Sequence, residues 1–255
     1  MLPHERIGAA IARANDAGRI GLVPFITAGY PDPDKFIETL RAVADTGDVV
    51  ELGVPFSDPM ADGMTIQRSS FIAIEKGVTL RWIFDQLENA DGQIDAPLVM
   101  MSYLNPLLAF GYENLARRAR ETGVCAFIVP DLPLEESDDI RAALDAEGVG
   151  LIQLVTPATP DKRLRTLAEA SRGFLYAVTI TGITGGDTSF PADLAEYLDR
   201  VASVSHLPVC AGFGIRNADD VVNVGKHAAG AIVGSALVEV LERGEDPAAF
   251  LRGLR

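Results

Sequence analysis

The chain has 255 residues, 48% of them hydrophobic, and a formal net charge of -14. A length near 250 residues suits one α/β barrel, and no Ser/Gly-rich or charged linker divides the chain, so it reads as a single domain over 1–255. The acidic balance argues against nucleic acid as a partner; without an apolar run of roughly 18 residues or an apolar signal region at the N-terminus, the reading is a soluble cytoplasmic protein with no membrane partner.

An amphipathic stretch at 5–17 comes first and would cover the floor of a barrel. Short apolar runs follow at 21–27, 48–53, 97–101, 124–129, 150–155, 173–179, 207–211 and 228–233, which are eight strand candidates. Helical patterns at 34–46, 80–87, 112–122, 136–147, 161–170, 191–204, 217–224 and 235–241 alternate with them. Several follow turn or cap signals such as Pro31-Asp32-Pro33 and Thr159-Pro160-Asp161. Strands apolar on both faces and alternating with helices imply a parallel sheet covered by helices, and eight such units favour closure into a (β/α)8 TIM barrel with an extra N-terminal helix. An open doubly wound sheet stays as the alternative, because periodicity does not prove closure. Either architecture puts functional groups at the C-terminal strand ends.

Those ends carry the chemistry. Glu51 closes the second apolar run, and the Pro-rich loop from Val54 to Ala61 then delivers Asp62 beside Gly63. An acid at a strand end is buried and its pKa raised, while an acid on a polar loop can stay ionised, so the two could divide proton-transfer roles. Each acid alone would read as an ion-pair or turn residue. Alternation puts Val49, Glu51 and Gly53 on one face, with space above the carboxylate where Gly53 lacks a side chain. Phe25 and Tyr176 would make that space flat and apolar, as an aromatic ligand requires, although either could simply fill core.

Three late glycine segments, Gly182-Ile183-Thr184-Gly185-Gly186, Gly212-Phe213-Gly214 and Gly234-Ser235 before a helix, point to phosphate, since loops after the last barrel strands and a helix N-terminus offer free N–H groups to an anion. The segment 181–191 is long enough to close over a ligand together with 55–63, and Thr184 reaching Asp62 would couple the two. Cys125 and Cys210 sit in apolar runs as core residues, and His4, His206 and His227 form no ligand spacing, so no metal site is expected. The four lysines (Lys35, Lys76, Lys162, Lys226) are scattered, with none inside a strand as a Schiff-base candidate.

The stretches Pro24-Phe25-Ile26-Thr27-Ala28-Gly29, Glu51 to Pro59 with Ala61-Asp62-Gly63, Tyr103-Leu104-Asn105-Pro106, Pro130-Asp131-Leu132-Pro133, Gly182 to Gly185, Gly212 to Ile215 and Gly234-Ser235-Ala236 carry a resemblance to the tryptophan synthase alpha subunit along nearly the whole chain. The resemblance implies a (β/α)8 barrel that cleaves indole-3-glycerol phosphate to indole and glyceraldehyde 3-phosphate by a retro-aldol reaction. It implies Glu51 as the acid/base and Asp62 as the group that stabilises the indole N–H as positive charge develops. Phe25 and Tyr176 would contact the indolyl part, and Gly185, Gly214, Gly234 and Ser235 the phosphate. No cofactor is implied for this chain; pyridoxal phosphate belongs to the beta subunit, the implied partner in an α2β2 complex. Pro55, Asp58, Asn105 and Pro133 match positions facing that partner.

Three departures from the family pattern stand out. Met64 replaces the proline that usually follows the Asp-Gly pair, which could loosen the catalytic loop. Thr46-Gly47-Asp48 is one residue short, and Ile180 occupies a position where some members carry a basic residue. Two other readings remain open: another phosphate-binding barrel enzyme, against which the missing strand-end lysine counts, and a catalytically idle barrel that activates a partner, against which the two retained carboxylates count.

Overall fold

The computed structural model describes residues 1–178, 192–212 and 214–255. Helix α1 (Pro3–Asp16) leads into β1 (Gly21–Thr27), α2 (Phe36–Ala44), β2 (Val50–Gly53), α3 (Met64–Glu75), α4 (Leu80–Asn89), β3 (Leu98–Met101), α5 (Leu104–Phe110), α6 (Tyr112–Glu121) and β4 (Val124–Ile128). Then come α7 (Asp138–Ala146), β5 (Gly150–Val155), α8 (Asp161–Ala170), β6 (Leu175–Val178), α9 (Ala192–Val204), β7 (Val209–Gly212), α10 (Ala218–Val224), β8 (Gly230–Val233), α11 (Ser235–Glu242) and α12 (Pro247–Arg252). The strands are parallel and close on themselves in chain order, with β1 pairing β8 from Gly21↔Gly230 to Pro24↔Val233. Closure decides against the open doubly wound sheet. The fold is a TIM barrel.

Three helices escape the periodicity reading, each for a local reason. Two serines interrupt the apolar stripe of α3; both are buried, and Ser69 Oγ donates to the Ile66 carbonyl while its partner Thr27 Oγ1 lies 2.6 Å away on β1. In α5, Pro106 falls in the first turn, where its missing N–H costs no helical hydrogen bond. Helix α12 has only six residues, capped by Asp246, whose carboxylate accepts from Ala248 N–H at 2.9 Å.

The barrel interior is layered. Its lower layer, with Val23, Val49, Val99, Ile152, Phe174 and Cys210, packs on Ile7, Ala10 and Ile11 of α1, so the N-terminal helix does seal the floor. The helix is pinned by His4, whose backbone N–H and ring Nδ1 both lie within bonding distance of the Gly148 carbonyl. Both cysteines are buried and unpaired, as core residues are. Outward-facing residues such as Leu22, Ile26, Leu52 and Met100 pack on the helical shell instead.

The short segment before β2 is tightly fitted. A Cβ on Gly47 would lie 2.7 Å from the Pro24 ring, and Asp48 Oδ2 accepts from Leu22 N–H (2.8 Å) and Arg255 Nη2 (2.9 Å). These contacts bind the entry of β2 to β1 and set the register in which Phe25 lies opposite Glu51.

Candidate active site

One step of two residues along each strand carries the chain from the floor to a cavity of about 330 Å³ at the C-terminal mouth. Val23 gives way to Phe25, Val49 to Glu51, Val99 to Met101, Ile152 to Leu154, Phe174 to Tyr176 and Cys210 to Gly212. Asp62 enters the same cavity from the loop after β2, so both carboxylates face one space.

Glu51 is 1% exposed, and its Oε2 has no hydrogen-bond partner among the described residues. Burial, with a smaller push from the Asp62 carboxylate, raises its pKa from 4.5 to about 8. At neutral pH it is a protonated acid in the wall of the cavity. Asp62 is half-buried, and burial raises its pKa too, against the expectation of an unburdened loop acid; the Tyr103 hydroxyl opposes the rise by donating to the carboxylate. Tyr103 is a residue that sequence reasoning missed. Its oxygen also accepts from Ala61 N–H at 2.8 Å and its ring stacks on Phe56 at 5.0 Å, so one side chain positions the whole approach to Asp62. The signal was in the Tyr103-Leu104-Asn105-Pro106 stretch, but the sequence does not reveal that a residue 41 positions later folds back onto the loop.

Two glycines make room for the two aromatic walls. A Cβ on Gly53 would lie 2.5 Å from Phe25 Cζ, and one on Gly212 would lie 2.5 Å from the Tyr176 hydroxyl oxygen. The gap left by Gly53 is thus taken by the Phe25 ring, and the free space lies beyond it. Tyr176 is partly buried in the cavity wall; burial and the nearby Glu51 raise its pKa and keep it neutral.

Gly214, Gly234 and Ser235 line the same cavity. Gly214 has a φ of +34°, and Gly234 precedes the first turn of α11, whose leading N–H groups at Ser235 and Ala236 have no intrahelical acceptor. Thr184 and Gly185, with the rest of the predicted closing segment and Ile180, lie outside the described residues. Met64 opens α3 in place of a proline, and the loop before it is held by Gln67, whose Nε2 donates to the Asp62 carbonyl (2.8 Å) and the Pro59 carbonyl (3.3 Å). Asp58, Asn105 and Pro133 are exposed, while Pro55 is buried within the chain. Asp131 Oδ1 caps α5 through Leu104 N–H at 2.9 Å, joining the first turn of α5, which bears Asn105, to the loop that bears Pro133.

Comparison with known proteins agrees with this fold. Residues 11–252 match the family model described as "Tryptophan synthase alpha chain". The chain belongs to the tryptophan synthase alpha chain family. It is 42% identical over 249 residues to the tryptophan synthase alpha chain of Nitratidesulfovibrio vulgaris strain DP4, covering 97% of each chain. With the alpha chain of Roseiflexus castenholzii it shares 43% over 241 residues, 94% of this chain and 92% of the other. Among solved structures, a Mycobacterium tuberculosis tryptophan synthase superposes with a TM-score of 0.89 at 34% identity, covering 98% of this chain and 96% of that one. The Legionella pneumophila strain Paris subunit alpha gives 0.89 at 30% identity, covering 100% and 97%. As a member of the tryptophan synthase alpha chain family, the protein is a lyase of tryptophan biosynthesis that cleaves indole-3-glycerol phosphate to indole and glyceraldehyde 3-phosphate. Among the described residues, no helix is long and apolar enough to cross a membrane.

Proposed function

We propose that Glu51 is the acid/base group of the alpha reaction and Asp62 its charge partner. Cleaving a carbon–carbon bond to an aromatic ring requires the ring to become an electron sink first. Protonated Glu51 delivers its proton to the ring carbon bearing the glycerol chain, and Asp62 stabilises the positive charge that appears at the ring N–H. The Glu51 carboxylate then takes the proton of the adjacent glycerol hydroxyl; the carbon–carbon bond breaks, its electrons restore the indole ring, and the hydroxyl carbon becomes the aldehyde. The observation that carries this reading is the buried, protonated Glu51 with an unpartnered oxygen facing the cavity.

Phe25 and Tyr176 hold the indole, while Gly185, Gly214, Gly234 and Ser235 hold the phosphate, with Thr184 closing on Asp62. Because ring protonation supplies the electron sink, the alpha reaction needs neither metal nor cofactor, and pyridoxal phosphate is confined to the beta partner. The chain works in the cytoplasm in an α2β2 complex with that subunit, met by the surface bearing Asp58, Asn105 and Pro133 and by the loop that begins at Pro55. Indole release by the purified chain, with and without a beta subunit, tests the proposal. Slow release that rises sharply with the partner supports it; a folded chain that releases no indole in either condition favours an idle activator. Activity that survives dialysis against a chelator supports the cofactor-free reading, and loss that added metal restores refutes it.

A further inference from the structure

A phosphate monoester brings close to two negative charges, and the cavity it must enter already holds the Asp62 carboxylate in a chain of net charge -14. Among the described residues that line this cavity, Arg216 is the one cation. It lies two residues past Gly214, where its backbone N–H donates to Asp220 Oδ2 at 2.8 Å. Its guanidinium is held bidentately by Glu239, Nη1 to Oε2 at 2.9 Å and Nη2 to Oε1 at 3.0 Å. Glu239 follows Ser235 by four residues on α11, so both stand on one face of that helix and the guanidinium is tied to the flank of its N-terminus. The bidentate pair uses one hydrogen from each terminal nitrogen; the Nε–H and two further N–H donors stay free for an anion. An exposed ion pair of this kind contributes little to folding.

We propose that Arg216 is a substrate-binding residue of the alpha reaction, the cation that attracts and orients the phosphate above Gly214, Gly234 and Ser235, with Glu239 as its positioning residue. The inference rests on the phosphate placement proposed above. A contact to the phosphate, remote from the breaking bond, is present in the ground state and the transition state alike, so its loss raises KM and spares kcat.

Steady-state cleavage of indole-3-glycerol phosphate by Arg216→Gln tests this, beside Arg216→Lys and Ser235→Glu, each first checked for an unchanged thermal melt. The expected result is a KM about tenfold higher for Arg216→Gln with kcat within about twofold, most of the loss restored by lysine. The parent KM should also rise more steeply with ionic strength than the KM of Arg216→Gln, a difference that a merely structural role does not produce. Ser235→Glu sets a like charge at the phosphate position and serves as the control. If it abolishes binding while Arg216→Gln keeps the parent KM and salt dependence, the role of Arg216 is overturned and the phosphate site stands. If neither variant changes KM, the phosphate placement itself is wrong.

Discussion

Along β2 and the residue before it, Val49 and Glu51 point into the same barrel, yet one joins a dry apolar plug and the other faces a cavity with an unpartnered oxygen. The floor is sealed by α1, and its residues from Ile7 to Phe174 are packed on every side. The mouth is left unfilled and carries raised pKa values, a glycine beside each aromatic wall and a polar loop. The difference is one of closure: burial without partners is stable for Val49, whereas for Glu51 it disfavours the charged form and so makes an acid. If the two layers have separate tasks, damage to the floor should appear as lost stability and damage to the mouth as lost rate.

The largest effect is expected at the mouth. Glu51→Gln should lower kcat for indole release by about 10²–10⁴-fold, the usual contribution of a positioned acid or base, with KM nearly unchanged. It should not destabilise the fold. Glu51 keeps its proton to about 8 against an ordinary 4.5, so the native state is favoured below pH 4.5 and loses that advantage as pH rises through 8. Across that span of more than three units the loss is on the order of 4 kcal/mol, and the glutamine variant escapes it. Thermal melts should therefore show the variant more stable than the parent at pH 8 and equal to it at pH 4.5. The parent's kcat/KM should fall on the alkaline side near pH 8, where the acid is lost. A variant with parental turnover would remove Glu51 from the chemistry.

The converse experiment is Ile11→Ala on α1, which empties space under β1 and should cost about 2–5 kcal/mol of stability. Activity per folded molecule should stay within about twofold of the parent, measured by indole release well below the lowered Tm. A rate loss matching the Glu51 variant would mean that floor and mouth are not separable.

Much of this division was legible beforehand because it follows from periodicity. Strand alternation places Val49 and Glu51 on one face, and the amphipathic stretch at 5–17 reads as a floor. What the sequence withheld depended on contacts between distant segments. Gly53 looked like open space above Glu51 until the Phe25 ring was seen to occupy it. Asp62 looked like an ordinary loop acid, although its burial and its Tyr103 partner both arise from how the loop folds against the start of α5. Helix α3 is hidden in the sequence because its two serines are buried, Ser69 pairing with Thr27 and the helix backbone, and hydropathy does not record such pairing. A close match to the family motif named the carboxylates, but the effect of Met64 could be judged only once Gln67 was seen holding the loop.

A milder break in the mouth tests how Asp62 is supported. Tyr103→Phe removes the hydroxyl that donates to Asp62 and accepts from Ala61 N–H. One such hydrogen bond contributes about 1–1.5 kcal/mol, so the rate should fall about tenfold. The hydroxyl lowers the Asp62 pKa, so its removal should raise it, and the acidic limb of the pH–rate profile should shift to higher pH. An unshifted limb with a tenfold slower rate would place the effect in loop geometry instead.

The smallest effect on the isolated chain is expected at Asp58, the outer end of the mouth. It is exposed, bonded to Ser57 Oγ at 2.5 Å, and stands four residues before Asp62 on the same loop. The inner part of that loop is held by Gln67 and Tyr103, whereas its tip carries Met60 at 84% exposure. A tip this free contributes little to basal catalysis, yet a partner seated on it could move Asp62 through a short backbone path. Asp58→Asn should therefore leave the basal rate within about twofold, as surface substitutions do, and reduce severalfold the stimulation produced by a beta subunit. Indole release titrated with that subunit separates the two outcomes. Full stimulation at a normal midpoint would detach Asp58 from the coupling. Full stimulation reached only at higher partner concentration would assign it to docking, so that the mouth would be driven through Asn105 and Pro133 instead.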